Sequence, residues 1–336
     1  MATVRVYLST YRRPQLLKRA VNSLIRQTYP DWICEVHNDD PCDSSPKSLV
    51  EGLADPRISL HQHTCNLGGT ATFNLFFRPI REPFYSVLED DNWWEPGFLA
   101  SMLEAASAFQ DAGVFWANMR VWQERAGGSW YDTGALVQPI AQEVSPRRVA
   151  WGQPIQLHSA LHSNSATLFR SFPKHDYSIP DVPISVTEMF RERTFPFPLV
   201  FVPQPLANFA LTLHTARSSD RGEWAAMQSM LAATFVKHAG YDDRQLEALW
   251  TRARAQHPPT TSVLLLASFL DPSCLGLRRH ACWRDWLLLV RGTLRRPWVL
   301  RRVLGVRRQN ADWWDFLDRS TDDRFAEARA ADGSAQ

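Results

Sequence analysis

The chain has 336 residues, 45% of them hydrophobic and 21% charged, with a formal net charge of +2. That length suits one large α/β domain with an appendage, or two domains, and the composition excludes a disordered chain. The longest apolar stretch, residues 263–270, is far too short to cross a bilayer.

Residues 2–8 read as a strand rather than a secretory leader. Within it Val4, Val6 and Leu8 carry the apolar signal, and Ser9-Thr10-Tyr11-Arg12-Arg13 form a turn before Pro14, which suits a first helical turn. Leu16, Leu17, Ala20, Val21, Leu24 and Ile25 then make one apolar helix stripe. A second strand over 32–37 ends in Asn38-Asp39-Asp40, and a third over 58–62 runs into Asn66-Leu67-Gly68-Gly69, a segment with turn chemistry. A helix over about 70–77 leads to a strand over 84–88, an apolar run that stops abruptly at Glu89, Asp90 and Asp91. The helix after Pro96 buries Phe98, Leu99, Met102, Leu103 and Ala106. Strands joined by helices of this size imply right-handed crossovers and a mainly parallel sheet flanked by helices. The polar clusters at 9–10, 38–39 and 89–91 then converge on the carboxyl edge, where open α/β sheets bind ligands. Three adjacent carboxylates repel one another and make sense around a divalent cation; the plainer alternative is an exposed acidic turn.

The segments Ser9-Thr10-Tyr11-Arg12-Arg13-Pro14, Ser23-Leu24-Ile25-Arg26-Gln27-Thr28-Tyr29 and Glu89-Asp90-Asp91 resemble the family 2 glycosyltransferases of GT-A fold over roughly residues 3–105. The resemblance implies an inverting, nucleotide-sugar-dependent enzyme using Mn²⁺ or Mg²⁺. It puts Ser9 and Tyr11 against base and ribose, Asp39 on the imide N–H of uracil or thymine, Asp90 beside the ribose and Asp91 on the metal. Three positions depart from the family pattern. Asn38 replaces the first acid of an Asp-Asp pair, Pro41-Cys42-Asp43 stand where Ser-Thr-Asp is common, and Phe73 stands where an Asn-x-Gly-x-x-x-Ala-Arg-Asn motif has its basic residue.

An inverting transfer needs a carboxylate to take the acceptor proton. The family places it roughly ninety to a hundred residues after the metal acids, which implies Glu188 in Ser185-Val186-Thr187-Glu188, with Asp181 and Glu192 as alternatives. The same resemblance implies His214, after a strand-like stretch, as a further metal or phosphate ligand. His61, His63 and Cys65 alternate along one strand face, but three ligands within five residues of a straight strand do not surround one tetrahedral ion, so they read as structural. Among the tryptophans 93, 94, 116, 122, 130 and 151, Trp93 and Trp94 follow the acids directly and read as sugar-stacking pocket residues, the rest as packing.

Five cysteines, odd in number and without a CxxC pair, read as reduced thiols of a cytoplasmic protein. Residues 223–238 and 242–256 read as helices, the first stopped by Gly240 and the second by Pro258-Pro259. Residues 278–308 hold ten Arg and one acid, Asp285, interleaved with Trp283, Trp286 and Trp298. That segment reads either as a peripheral anchor on an anionic membrane or as a helical appendage packed on protein; no nucleic-acid reader motif accompanies it. The boundaries expected are a nucleotide-sugar-binding half over 1–105, an acceptor half over 106–220 and a helical region over 221–336. The expected donor is a UDP- or dTDP-sugar, and the acceptor a surface glycan on a lipid carrier, a protein or a natural product. The competing classes are a catalytically degenerate nucleotide-sugar-binding protein and a nucleotidyltransferase, though the latter lacks its Gly-rich loop here.

Overall fold

The computed structural model describes residues 3–139, 145–157, 159–171, 176–195, 198–213, 220–256 and 259–333. The chain forms two units, one of Met1–Ala150, His162–Asp181 and Phe197–Ala216, the other of Trp151–Leu161, Val182–Pro196 and Arg217–Gln336. The segments 151–161 and 182–196 thus group with the C-terminal helices, across the boundaries drawn from sequence.

Among the described residues the first unit is a ten-stranded sheet flanked by helices. Its elements in chain order are β1 (Val4–Thr10), α1 (Pro14–Ile25), β2 (Trp32–Asn38), α2 (Ser45–Leu53), β3 (Ile58–Gln62), α3 (Gly69–Phe76) and β4 (Phe84–Glu89). There follow β5 (Trp93–Trp94), α4 (Phe98–Ala108), β6 (Val114–Glu124), β7 (Trp130–Leu136), β8 (Arg147–Val149), β9 (Thr167–Arg170) and β10 (Leu199–Leu211). The sheet order is β3-β2-β1-β4-β9-β6-β10-β5, with β7 on β6 and β8 on β10. The four strands from β3 to β4 are parallel, as the βαβ spacing predicts, and so is the β6–β10 pair. β9 runs antiparallel between β4 and β6. The expectation of a mainly parallel sheet therefore holds for the nucleotide half and gives way to a mixed sheet beyond β4. The apolar stripe of α1 is buried as expected at Leu17, Ala20, Val21 and Leu24, against Val4, Val6 and Leu8 of β1 in one core.

The second unit is helical: α5 (Thr187–Glu192), α6 (Arg221–Ala239), α7 (Asp243–Ala255), α8 (Thr261–Ala267), α9 (Trp283–Arg295), α10 (Pro297–Gln309) and α11 (Ala311–Gly333). Asp220 caps α6 by accepting from the Gly222 and Glu223 amides, and Gly240, at φ +62, ends it in the left-handed conformation that glycine adopts without strain. α6 is buried on most sides, from Met227 and Leu231 to Phe235, and is the axis of this unit's core. Among the described residues no helix is long and apolar enough to cross a membrane.

Candidate active site

The turn after β1 is built around Arg12, a non-glycine residue at φ +57. Such a conformation costs free energy and persists when neighbours hold it. Here Arg12 Nε bonds Asp40 Oδ2 at 2.5 Å, and its guanidinium lies 4.9 Å from the Tyr11 ring centre. The Tyr11 ring is 41% exposed at the carboxyl edge of the sheet. Ser9, half-buried, pairs in register with His37 of β2 and Glu89 of β4. The Asp39 amide donates to the Thr10 carbonyl at 3.0 Å, which stitches the β2 turn to the β1 turn. The polar clusters expected to converge do so.

Asp90 and Asp91 sit just past the end of β4. Asp90 is buried; it accepts from Thr10 Oγ1 at 2.8 Å and lies 3.2 Å from Arg13 Nη1. The same Arg13 nitrogen is 3.1 Å from Asp91 Oδ2. Burial, reinforced by the charge of Asp91 and opposed by Arg13 and Thr10, pushes the Asp90 carboxyl up to about 6. Burial raises Asp91 too, against the pull of Arg13 and Arg19. Two adjacent, poorly solvated carboxylates around a spot that already attracts a guanidinium form a hard-oxygen site that fits Mn²⁺ or Mg²⁺. His214 lies outside the described residues.

Glu89 turns away from this pair. Its Oε2 accepts from Ser165 Oγ at 2.7 Å and from Asn92 Nδ2 at 3.1 Å, so it braces the strand end. Ser23 and Gln27 of α1 fix the segment that follows the acids. Ser23 Oγ accepts from the Trp94 amide, while Gln27 bridges the Glu95 carbonyl and the Leu99 amide at 2.8 and 3.0 Å. Trp94 is buried, stacked on Phe98 with its indole N–H on the Ser165 carbonyl, and so packs mainly in the core while also lining the cleft beside α1. Trp93 lines the same cleft, of about 640 Å³, together with Gln15, Lys18, Arg19 and Arg26 of α1. Arg19 is held between Trp93 and Trp130, 3.9 and 4.2 Å from the ring centres, and also donates to the Asp91 carbonyl. Burial brings its guanidinium down to about 10. Arg13 and Arg19 are the site residues that sequence reasoning did not assign. The signal for Arg19 is the polar stripe 15, 18, 19, 22 and 26 opposite the apolar face of α1.

Asp39 is turned onto the loop after β3. It accepts from the Leu67 and Gly68 amides at 2.8 and 3.0 Å and pairs with His63 Nδ1 at 3.0 Å. A carboxylate has about four acceptor sites, so one remains for an incoming donor. Phe73 is buried in α3 against Phe76, so its position supplies packing and no charge. Asn74 exchanges hydrogen bonds with the Ile179 backbone in both directions.

In the second unit, Glu188 stands half-buried in the first turn of α5. Glu192 is buried and accepts from Gln156 Nε2 and the Leu161 amide, both at 2.6 Å, which makes it a structural brace. Asp181, in the first unit, is exposed.

Residues 6–155 match the model of glycosyl transferase family 2. A putative colanic acid biosynthesis glycosyl transferase, WcaA of Escherichia coli (strain K12), is 30% identical over 123 residues, 36% of this chain and 43% of that protein. The match thus spans less than half the length of that relative. The crystal structure of S. aureus TarS 1–349 in complex with UDP is similar at TM-score 0.55 and 12% identity, covering 99% of this chain and 92% of that one. The same TarS fragment in complex with UDP-GlcNAc gives TM-score 0.52 at 11% identity, with the same coverage. At these identities the likeness shows a common fold.

Proposed function

We propose that this protein, whose residues 6–155 match the glycosyl transferase family 2 model and whose fold is similar to that of TarS, is a family 2 glycosyltransferase that moves a sugar from a UDP- or dTDP-sugar to an acceptor hydroxyl with inversion, in a metal-dependent reaction. The observation that carries the reading is the pair Asp90 and Asp91 just past the end of β4, bridged by Arg13, at the sheet edge that also holds the exposed Tyr11 ring. In this reading Tyr11 and Ser9 take the base and ribose, the remaining acceptor site of Asp39 takes the imide N–H, and Asp90 takes the ribose side. Asp91 would hold the metal, with His214 as a further metal or phosphate ligand. A bound Mn²⁺ or Mg²⁺ would neutralise charge on the leaving diphosphate. Arg13 and Arg19, both within reach of Asp91, keep positive charge at the same place. Glu188 is the proposed base on its place in the sequence and its partial exposure; its position in a first helical turn, where the macrodipole favours a carboxylate, would equally suit a plain helix-end charge.

The acceptor proposed is a growing glycan on a lipid carrier, reached from the cytoplasmic face of an anionic membrane through α9 and α10. Trp283, Leu287, Val290 and Leu294 of α9 recur at i, i+4, i+7 and i+11 and are all exposed, Leu294 at 78%. An apolar stripe at that spacing ordinarily faces a core. Here the buried residue of α9 is the acid, Asp285, which pairs with Arg254 at 2.7 Å. Arg284, Arg291, Arg295 and Arg301 are exposed around the stripe. Basic, Trp-bearing amphipathic helices of this kind lie in membrane interfaces.

The reading is tested by a donor screen using thermal shift and donor hydrolysis, with and without Mn²⁺. Stabilisation by a UDP- or dTDP-sugar that needs Mn²⁺ is the expected result. Equal responses to uridine, guanosine and adenosine diphosphates would remove the base assignment.

A further inference from the structure

Away from the acids, β2 and β3 carry a second constellation that spans two strands. His37 and His61 are direct partners in the parallel register, so their rings share one sheet face and stack at 4.9 Å, with an angle of 11° between planes. Glu35, two residues before His37, points to the same face. Its Oε2 lies 3.6 Å from His37 Nε2 and 3.7 Å from His61 Nε2, and the three ligand atoms fall within 4.8 Å of one another. Ligands of a tetrahedral zinc ion, at bond lengths of about 2.0–2.1 Å, stand roughly 3.3 Å apart, so small side-chain movements close this set.

The protonation pattern behind the cluster points the same way. Asp39 accepts from two backbone amides, and its Oδ1 lies 3.0 Å from His63 Nδ1. In the tautomer with the proton on His63 Nδ1, its Nε2 accepts from His37 Nδ1, 3.0 Å away. That leaves His37 Nε2 as a lone pair. His37 is 6% exposed, and this nitrogen has no hydrogen-bond partner. It faces the Glu35 carboxylate, whose other oxygen is paired with Arg5. Either a proton on His37 Nε2 or a cation satisfies this nitrogen and the carboxylate together, and their 3.6 Å separation is longer than a direct hydrogen bond. A carboxylate–histidine chain that fixes the tautomer of a ligand is the usual support of a metal-bound imidazole.

We infer that Glu35, His37 and His61 bind a divalent transition-metal ion of the zinc type, with water at the fourth position, at a site separate from Asp90 and Asp91. The His61 side chain is 54% exposed, which leaves the site open to solvent for metal entry. The relay His37–His63–Asp39 ends on the amides of Leu67 and Gly68, so the ion braces the loop that enters α3.

The test uses the full chain, free of any tag and stripped of metal, titrated with Zn²⁺ by calorimetry and with Co²⁺ as a spectroscopic probe. The site predicts one high-affinity Zn²⁺ that survives Asp91→Asn, and a visible Co²⁺ spectrum of four-coordinate type without a thiolate charge-transfer band. His61→Ala, at a half-exposed position, should keep the metal-free melting temperature and lower Zn²⁺ affinity by at least tenfold; even partners behind the ligands are worth about 10–100-fold. Glu35→Gln, which keeps a hydrogen-bond acceptor for Arg5, should do the same. Any of four results overturns the assignment: no tight Zn²⁺, unchanged affinity in both variants, a thiolate band, or loss of the site in Asp91→Asn. With no tight Zn²⁺, a proton on His37 Nε2 satisfies this pair instead.

Discussion

Asn38 is fully buried, and its amide group donates to the Asp43 carbonyl at 2.7 Å and to Gln62 Oε1 at 2.9 Å. An aspartate there would present oxygen to two oxygens, so the departure from an Asp-Asp pair is explained by local hydrogen bonding. Restoring the acid with Asn38→Asp should destabilise the protein by about 3 kcal/mol, as expected for a buried group that loses its partners and gains charge. Urea unfolding midpoints check this, and an unchanged midpoint would mean that Gln62 and the turn rearrange freely. Asp90 makes a second residue-scale prediction. Its carboxyl is lifted to about 6, above the ordinary value near 3.9, so the native state holds its proton more tightly than the unfolded chain does. The associated stability, on the order of 3 kcal/mol, is fully present below about pH 4 and is lost as pH rises through about 6. Asp90→Asn abolishes that loss. Thermal unfolding without divalent cations should therefore show the variant gaining on wild type from pH 4 to 7 and then holding its margin. A margin independent of pH would mean that Arg13 compensates Asp90 fully.

Elements were legible where one signal dominated. β1, β2, β3 and β4 announce themselves by apolar runs closed by turn residues, and α1 and α4 by one apolar stripe. α2 was not read: it is only nine residues long with Pro46 in its first turn, and its apolar side, Leu49, Val50 and Leu53, packs on the core only partly buried. β10 contains Pro203 and Pro205, which argue against a strand interior; the sheet absorbs them in an irregularity between Val202 and Ala207. The candidate metal relay was invisible for a different reason. His61 and His63 were seen, but their partners Glu35, His37 and Asp39 lie on the neighbouring strand, and strand register is a tertiary property. Arg13 and Arg19 escaped because an arginine near a helix start ordinarily faces water. At this scale the test falls on α9 and α10. They should bind anionic vesicles at low salt and release them as salt rises, since each basic residue near such a surface contributes about 1 kcal/mol and screening shortens its reach. Equal recovery on neutral vesicles, or none at low salt, would assign the exposed stripe of α9 to a protein partner and favour a soluble acceptor.

For the whole molecule, the family match and the turn geometry agree on the first unit. Its sheet delivers Tyr11, Asp39, Asp90 and Asp91 from three parallel strand ends, a convergence foreseen from the order of strands and helices, and Arg13, which was not foreseen, joins the acids. The second unit is helical and carries Glu188 together with the basic helices, and its chemistry was legible only as amphipathic charge pattern. The acids after β4 are proposed to hold a divalent cation on which nucleotide-sugar binding depends. Calorimetric titration of UDP into wild type and Asp91→Ala, each with Mn²⁺ and with a chelator, measures it directly. Wild type should bind UDP at least tenfold more tightly with Mn²⁺ than with chelator, while Asp91→Ala, with an unchanged melting temperature, should show no manganese effect. Equal manganese enhancement in the variant, or none in wild type, would contradict the account.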